Sequence, residues 1–137
     1  MTIYIRGINN NTGYGSYTIE LMDAIRALGH DVRFVNFVDK KIPDVSNLFS
    51  VLPGEHIVNV KTPNTYRICQ SMIESDGLHP DWVNKYNLIN SVCVISQYMK
   101  DVYINSGVKT EIKIVPLGIE TKLFKKKKSY NKRIYAV

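Results

Sequence analysis

The sequence predicts an α/β domain built on an open, mostly parallel sheet flanked by helices. Three observations lead there. Short apolar runs of strand length recur along the 137 residues, amphipathic helical stretches separate them, and glycine-rich or polar segments follow where the runs end. Strands buried on both faces read as continuous apolar runs rather than strict alternation, as these do. With 45% apolar residues, the chain suffices for one domain with a core of its own.

Taken in order, Thr2–Arg6 supplies the first strand around Ile3, Tyr4 and Ile5, and a polar loop from Gly7 to Thr12 follows. Gly13-Tyr14-Gly15-Ser16 then opens a helix over Tyr17–Leu28. A glycine turn from strand to helix lets backbone approach a ligand, and a helix start offers free N–H groups to an anion. Ser16 stands where its hydroxyl would cap that helix. A Gly-x-Gly alone describes a tight strand–helix turn equally well. Leu21, Met22, Ile25 and Leu28 recur at helical spacing, and Gly29 is placed to stop the helix. Val32–Phe37 is a second strand, so the first forty residues form a βαβ unit with parallel strands and a right-handed crossover.

Val45–Leu52, bracketed by Pro43 and Pro53-Gly54, reads as a short helix, and His56–Val60 as the third strand, ending at Lys61-Thr62-Pro63-Asn64. Tyr66–Met72 is a fourth strand, left through Ile73–Gly77. Pro80–Ile89 reads as a helix with Trp82, Val83, Tyr86 and Ile89 on one face. Val92–Ile95 is a fifth strand with Ser96 at its exit, Tyr98–Asn105 a helix stopped by Gly107, and Ile112–Val115 a sixth strand closed by Pro116-Leu117-Gly118. No internal repeat is visible. In open sheets of this kind ligands bind beyond the carboxyl ends of the strands. The candidate site segments are therefore Gly13–Ser16, Lys61–Asn64, Glu74–Asp76, Ser96 and 116–121.

The net charge of +6 is unevenly spread. Residues 122–137 hold seven basic residues and no acidic one, whereas residues 1–121 hold 11 basic and 12 acidic. A nucleic-acid footprint would put the excess on a folded face beside aromatics, so the lysine run reads first as a solvated linker and nucleic-acid binding ranks last. No run reaches the ~18 apolar residues of a membrane helix, and no basic-then-apolar leader opens the chain. Cys69 and Cys93 sit inside apolar runs with no C-x-x-C spacing, which suits buried thiols in a reducing, cytoplasmic setting.

Three stretches, in this order and spacing, resemble the N-terminal half of family-4-type (group 1) glycosyltransferases of the GT-B fold. The first runs from Gly13-Tyr14-Gly15-Ser16 to Leu28-Gly29-His30-Asp31-Val32. The second is Met72-Ile73-Glu74-Ser75-Asp76 through His79-Pro80-Asp81-Trp82-Val83. The third is Val94-Ile95-Ser96 through Val115-Pro116-Leu117-Gly118-Ile119-Glu120. Together they span residues 7–124.

The resemblance implies a Rossmann-like acceptor-side domain over 1–121. It also implies that 122–137 is a basic linker and the start of a donor-binding domain, supplied in cis or in trans. The activity implied is retaining-type, metal-independent transfer from a nucleotide sugar, such as a UDP- or GDP-sugar, to a glycan or other hydroxyl acceptor, with no further cofactor. Gly13, Tyr14, Gly15 and Ser16 would then lie near the donor diphosphate. Glu74, Asp76 and His79 are the catalytic candidates. Lys61, Thr62, Asn64, Ser75, Ser96, Gly118 and Glu120 would line the acceptor cleft, and no metal ligands are expected. Many members of the family carry a histidine at the exit of the third or fourth strand. Here Lys61–Asn64 has none, and His56 would begin its strand at the opposite edge. Glu74, Asp76 and His79 can equally be caps of the helix that follows, and Trp82 a packing aromatic. A different class of function, a stand-alone glycan-binding or partner-docking module without catalysis, stays open beside the enzyme.

Overall fold

A computed structural model of the chain describes residues 2–39, 45–57, 64–119 and 124. Its ten elements in chain order are β1 (Thr2–Gly7), α1 (Gly13–Ala27), β2 (Asp31–Asn36), β3 (Asn47–Val51), a 3₁₀ turn (Gly54–His56), β4 (Tyr66–Gln70), α2 (Pro80–Tyr86), β5 (Ser91–Val94), α3 (Gln97–Asn105) and β6 (Glu111–Ile114). The six strands form one sheet in the order β2-β1-β3-β4-β5-β6, and every neighbouring pair is parallel. This is a Rossmann-like, doubly wound arrangement. The chain steps outward from β1 to β2, then returns past β1 and builds the rest of the sheet in the other direction. That reversal makes the carboxyl ends of β1 and β3 the topological switch point, where such sheets open a crevice.

Because right-handed crossovers in opposite directions place their helices on opposite faces, two cores form. On one face α1 brings Met22 onto Ile5, Val32 and Val51, with Tyr14, Tyr17, Leu21, Ile25 and Phe49 around them. On the other, α2 and α3 bring Tyr86, Met99 and Tyr103 onto β4 and β5 residues such as Cys69, Val92 and Val94. Each fully buried Val or Leu here contributes about 1.5–3 kcal/mol by leaving water.

The predicted stripe of the first helix holds for Leu21, Met22 and Ile25. Leu28, by contrast, is the C-cap and turns out to solvent at 76% exposure. Gly29 and Gly107 follow α1 and α3 at φ +86° and +98°, the left-handed conformation that ends a helix with little strain only in glycine.

One element differs from the sequence reading. Residues 47–51 form a central strand, not a helix, pairing with β1 on one side and β4 on the other. Leu48 and Ser50 are buried on one face while Phe49 and Val51 pack on the other, so both faces are covered and no alternation shows in the sequence. The expected third strand at His56–Val60 falls differently too. His56 closes the 3₁₀ turn and Ile57 extends from it into the core. Residues 58–60 lie outside the described residues.

Candidate functional site

The site is built from the glycine loop upward. α1 begins at Gly13, and its N-cap is Thr12, four residues before the turn's expected cap at Ser16. The Thr12 hydroxyl accepts from the Gly15 amide at 3.3 Å, and the Thr12 carbonyl accepts from the Ser16 amide at 2.8 Å. Asn10 fixes this cap: its Oδ1 accepts from the Thr12 amide at 3.0 Å and from the Thr12 hydroxyl at 2.5 Å. Four amides start any helix without an intrahelical partner. Here the Gly15 amide is taken by the cap and the Ser16 amide already makes a helical bond. Among the described residues, the amides of Gly13 and Tyr14 are therefore the ones left for a ligand. The Ser16 hydroxyl stands exposed on the first turn rather than in a capping bond.

The glycines separate into two roles. A Cβ on Gly15 would press into the Asn10 backbone, with the Asn10 carbonyl carbon at 2.8 Å, so Gly15 lets the loop fold back onto the helix. A Cβ on Gly7 would meet Thr18 Oγ1 at 2.6 Å and Cγ2 at 2.8 Å, so Gly7 lets α1 sit close on β1. Gly13 has nothing within 4 Å and faces open space at the helix start.

The β4 exit joins this loop through tyrosines. Tyr14 Oη donates to the Met72 carbonyl and accepts from the Met72 amide, both at 3.0 Å. Tyr17 Oη donates to Gln70 Oε1 at 2.5 Å. From the other face, Tyr103 Oη donates to Tyr86 Oη at 3.1 Å, with the ring centroids 5.0 Å apart. Ser71 is fully buried beside the hydroxyls of Tyr14, Tyr86 and Tyr103, and its own hydroxyl reaches full hydrogen-bond geometry with none of them. Burial raises the pKa of Tyr14, Tyr17, Tyr86 and Tyr103, Tyr103 to about 12, so all four remain neutral phenols.

Beyond Met72 the chain does not stay at the carboxyl edge. The Leu78 amide donates to Ser106 Oγ at 3.0 Å, and Ser106 is the C-cap of α3. α3 starts at the β5 exit and runs back along the sheet for nine residues, about 13 Å. Residues 73–78 thus descend from the carboxyl edge toward the amino edge. Glu74 stands near the top of this descent and Asp76 farther down, both exposed. Ser75 is engaged locally, its hydroxyl donating to the Gly77 carbonyl at 2.6 Å. His79 lies at the bottom, where Nδ1 accepts from the Asp81 amide at 3.3 Å as the N-cap of α2. The structure does not bring His79 to the exits, because the crossover carries it to the other end of α3.

The remaining candidates divide similarly. Ser96 does sit at the β5 exit, but its hydroxyl caps α3 by accepting from the Met99 amide at 3.3 Å. Gly118 follows β6 in an exposed segment with Val115, Leu117 and Ile119, and Asn64 is exposed in the turn before β4. Lys61, Thr62, Glu120 and the lysine-rich tail lie outside the described residues. Trp82 packs against the core of the α2 face. Cys69 and Cys93 are free, buried thiols, and burial raises Cys69 to about 12.

Sequence reasoning missed two residues at the switch point. Arg6, 3% exposed near the end of β1, donates to the carbonyls of His56 (3.0 Å), Asp39 (3.3 Å) and Phe37. Burial lowers its pKa, and Asp39 pulls it back up. The segments leaving β2 and β3 are thereby drawn around one guanidinium of β1. His56 sits in that cluster, its ring edge-on to Phe37 at 5.1 Å and Nε2 3.3 Å from Glu55 Oε1. It therefore stands by the exits of β1 and β2, not at the far edge. A charged residue directly closing the apolar run Ile3–Ile5 was the signal for Arg6; His56 had none, since its place depends on residues 47–51 being a strand.

A shallow cavity of about 300 Å³ opens between α1 and the edge strand β2, lined by Asn9, Thr18, Ile19, Met22, Arg26 and Phe34. Among the described residues, no three His, Cys, Asp or Glu side chains come together as a metal cluster. No helix there is long and apolar enough to cross a membrane. The chain matches no family model, no curated protein and no solved structure.

Proposed function

We propose that this chain is the acceptor-side domain of a glycosyltransferase that uses a nucleotide-sugar donor. The observation that carries the reading is the pair of open amides on Gly13 and Tyr14, presented at the switch point of a doubly wound parallel sheet. Amides at a helix start favour negative charge, and a departing nucleoside diphosphate gains charge in the transition state. The three sequence stretches that resemble group-1 GT-B enzymes support the same reading. Glu74 is the carboxylate placed to meet an acceptor hydroxyl as ligand or base, and the donor sugar is held by a second α/β domain. No metal is required in this scheme, because the helix start stabilises the diphosphate.

The test uses the product of the whole natural gene with radiolabelled UDP- and GDP-sugars and a panel of hydroxyl acceptors. Transfer should occur, and Glu74→Gln should reduce kcat by at least about tenfold. Absence of transfer with every donor, together with no perturbation of the Gly13 amide by UDP or GDP, would refute the proposal.

A second reading, a partner-docking module, draws on one observation. Ile114, Val115, Leu117 and Ile119, at the end of β6 and just beyond it, are 40–72% exposed. A run of this kind suits a protein surface in trans. Glycan affinity or stable partner association without turnover would favour it.

A further inference from the structure

We propose that Tyr14 is a positioning residue: its phenol locks the start of the glycine-loop helix to the strand exit that carries Glu74, so the two act as one rigid unit. The inference deepens the proposed reaction and rests on Glu74 belonging to the site. Its geometry stands on its own. A single hydroxyl closes both backbone groups of Met72, donating to the carbonyl and accepting from the amide at 3.0 Å each. Tyr14 is the second residue of α1, and Met72 precedes Glu74 by two. The helix end of the link is fixed as well, because the Tyr14 carbonyl accepts from Thr18 Oγ1 at 2.7 Å and Thr18 is fully buried against Gly7.

Among the described residues, the next hydrogen bond that ties this segment to another element comes at Leu78, where the amide meets Ser106. Ile73 packs against the core, and the exposed residues 74–77 lie between two hydrogen-bonded tethers, of which the upper one is the Tyr14 hydroxyl. The pocket under that tether is polar and buried: Ser71 is enclosed beside Tyr14, Tyr86 and Tyr103. A phenol can both donate and accept there, whereas a benzyl ring fills the same space and satisfies neither Met72 group. Loss of the link frees Glu74 without emptying the core. A displacement of about 1 Å at a reacting group can cost on the order of 100-fold in rate.

Tyr17 provides the control. Its hydroxyl also makes one half-buried bond from α1 to β4, to Gln70 Oε1, rather than to Met72. Tyr14→Phe and Tyr17→Phe should lower stability comparably, so any difference between them reports position rather than stability. Amide hydrogen exchange read residue by residue should show Met72 and Ile73 exchanging at least about tenfold faster in Y14F than in Y17F. In the whole gene product, kcat should fall by at least about tenfold in Y14F and stay within about twofold in Y17F. Equal exchange at Met72 in the two variants overturns the lock. Faster exchange with unchanged kcat overturns its positioning role. Failure of the unsubstituted product to transfer any sugar refutes the glycosyltransferase reading, and the positioning role with it; the exchange comparison still decides whether Tyr14 holds Met72.

Discussion

Replacing Gly13 and Gly15 by alanine, one at a time, separates the two glycines of the loop by sign. At Gly15 the added methyl would fall 2.5 Å from Asn10 Oδ1 and 2.8 Å from the Asn10 carbonyl carbon, and the latter must retreat to at least 3.4 Å. Asn10 cannot retreat alone, because its side chain holds both the amide and hydroxyl of Thr12, and Thr12 caps α1. The variant thus meets an overpacking cost of about 1–3 kcal/mol. Loss of the cap adds about 1 kcal/mol. The combined loss of about 2–4 kcal/mol should lower Tm by roughly 5–15 °C in a domain of this size. At Gly13 nothing lies within 4 Å, and the residue sits at the first helical position. Alanine there narrows the unfolded ensemble and should stabilise by about 0.4–1 kcal/mol, roughly 1–4 °C. Thermal unfolding followed by far-UV circular dichroism measures both at one pH and concentration. Equal shifts, or a Gly15→Ala protein as stable as the parent, would refute the packing of the loop against the helix.

Ser96→Ala removes the cap of α3 and should destabilise by about 1 kcal/mol, visible as a lower urea midpoint with an unchanged slope. An unaltered midpoint would mean the hydroxyl does not cap α3. Stability should also fall above about pH 9. Cys69 and Tyr103 are raised from 9.0 and 10.0 to about 12 by burial, and Tyr14, Tyr17, Tyr86 and Cys93 shift the same way. Over that range the folded chain keeps protons that the unfolded chain has lost. The stabilisation is therefore complete below the unfolded values and is lost as pH rises toward the folded ones. Each such group contributes a slope of about 1.4 kcal/mol per pH unit within its window. Urea midpoints at pH 8 and pH 11 test the sign, and a midpoint that holds or rises contradicts the burial of these groups. Cys69 should meanwhile stay unreactive toward a thiol reagent at pH 8 until the chain unfolds.

Local chemistry was enough for much of this molecule. Five of the six strands, the three helices and the helix stops at Gly29 and Gly107 follow from apolar runs, helical spacing and glycine, because each is decided within a few neighbouring residues. Tertiary structure decided what depends on partners far along the chain. Residues 47–51 became a strand because β1 and β4 flank them, and two-sided burial leaves no alternation to read. That strand carried His56 to the switch point, where Arg6 gathers the segments leaving β2 and β3. Likewise, Leu78 bonding to Ser106 took His79 away from the edge that holds Glu74. The glycine loop was legible as a loop. That Thr12 caps it, leaving Gly13 and Tyr14 as its open amides, required Asn10 to fold back across Gly15. Spacing along a sequence reports which residues share a face; which loops meet depends on how the crossovers pack.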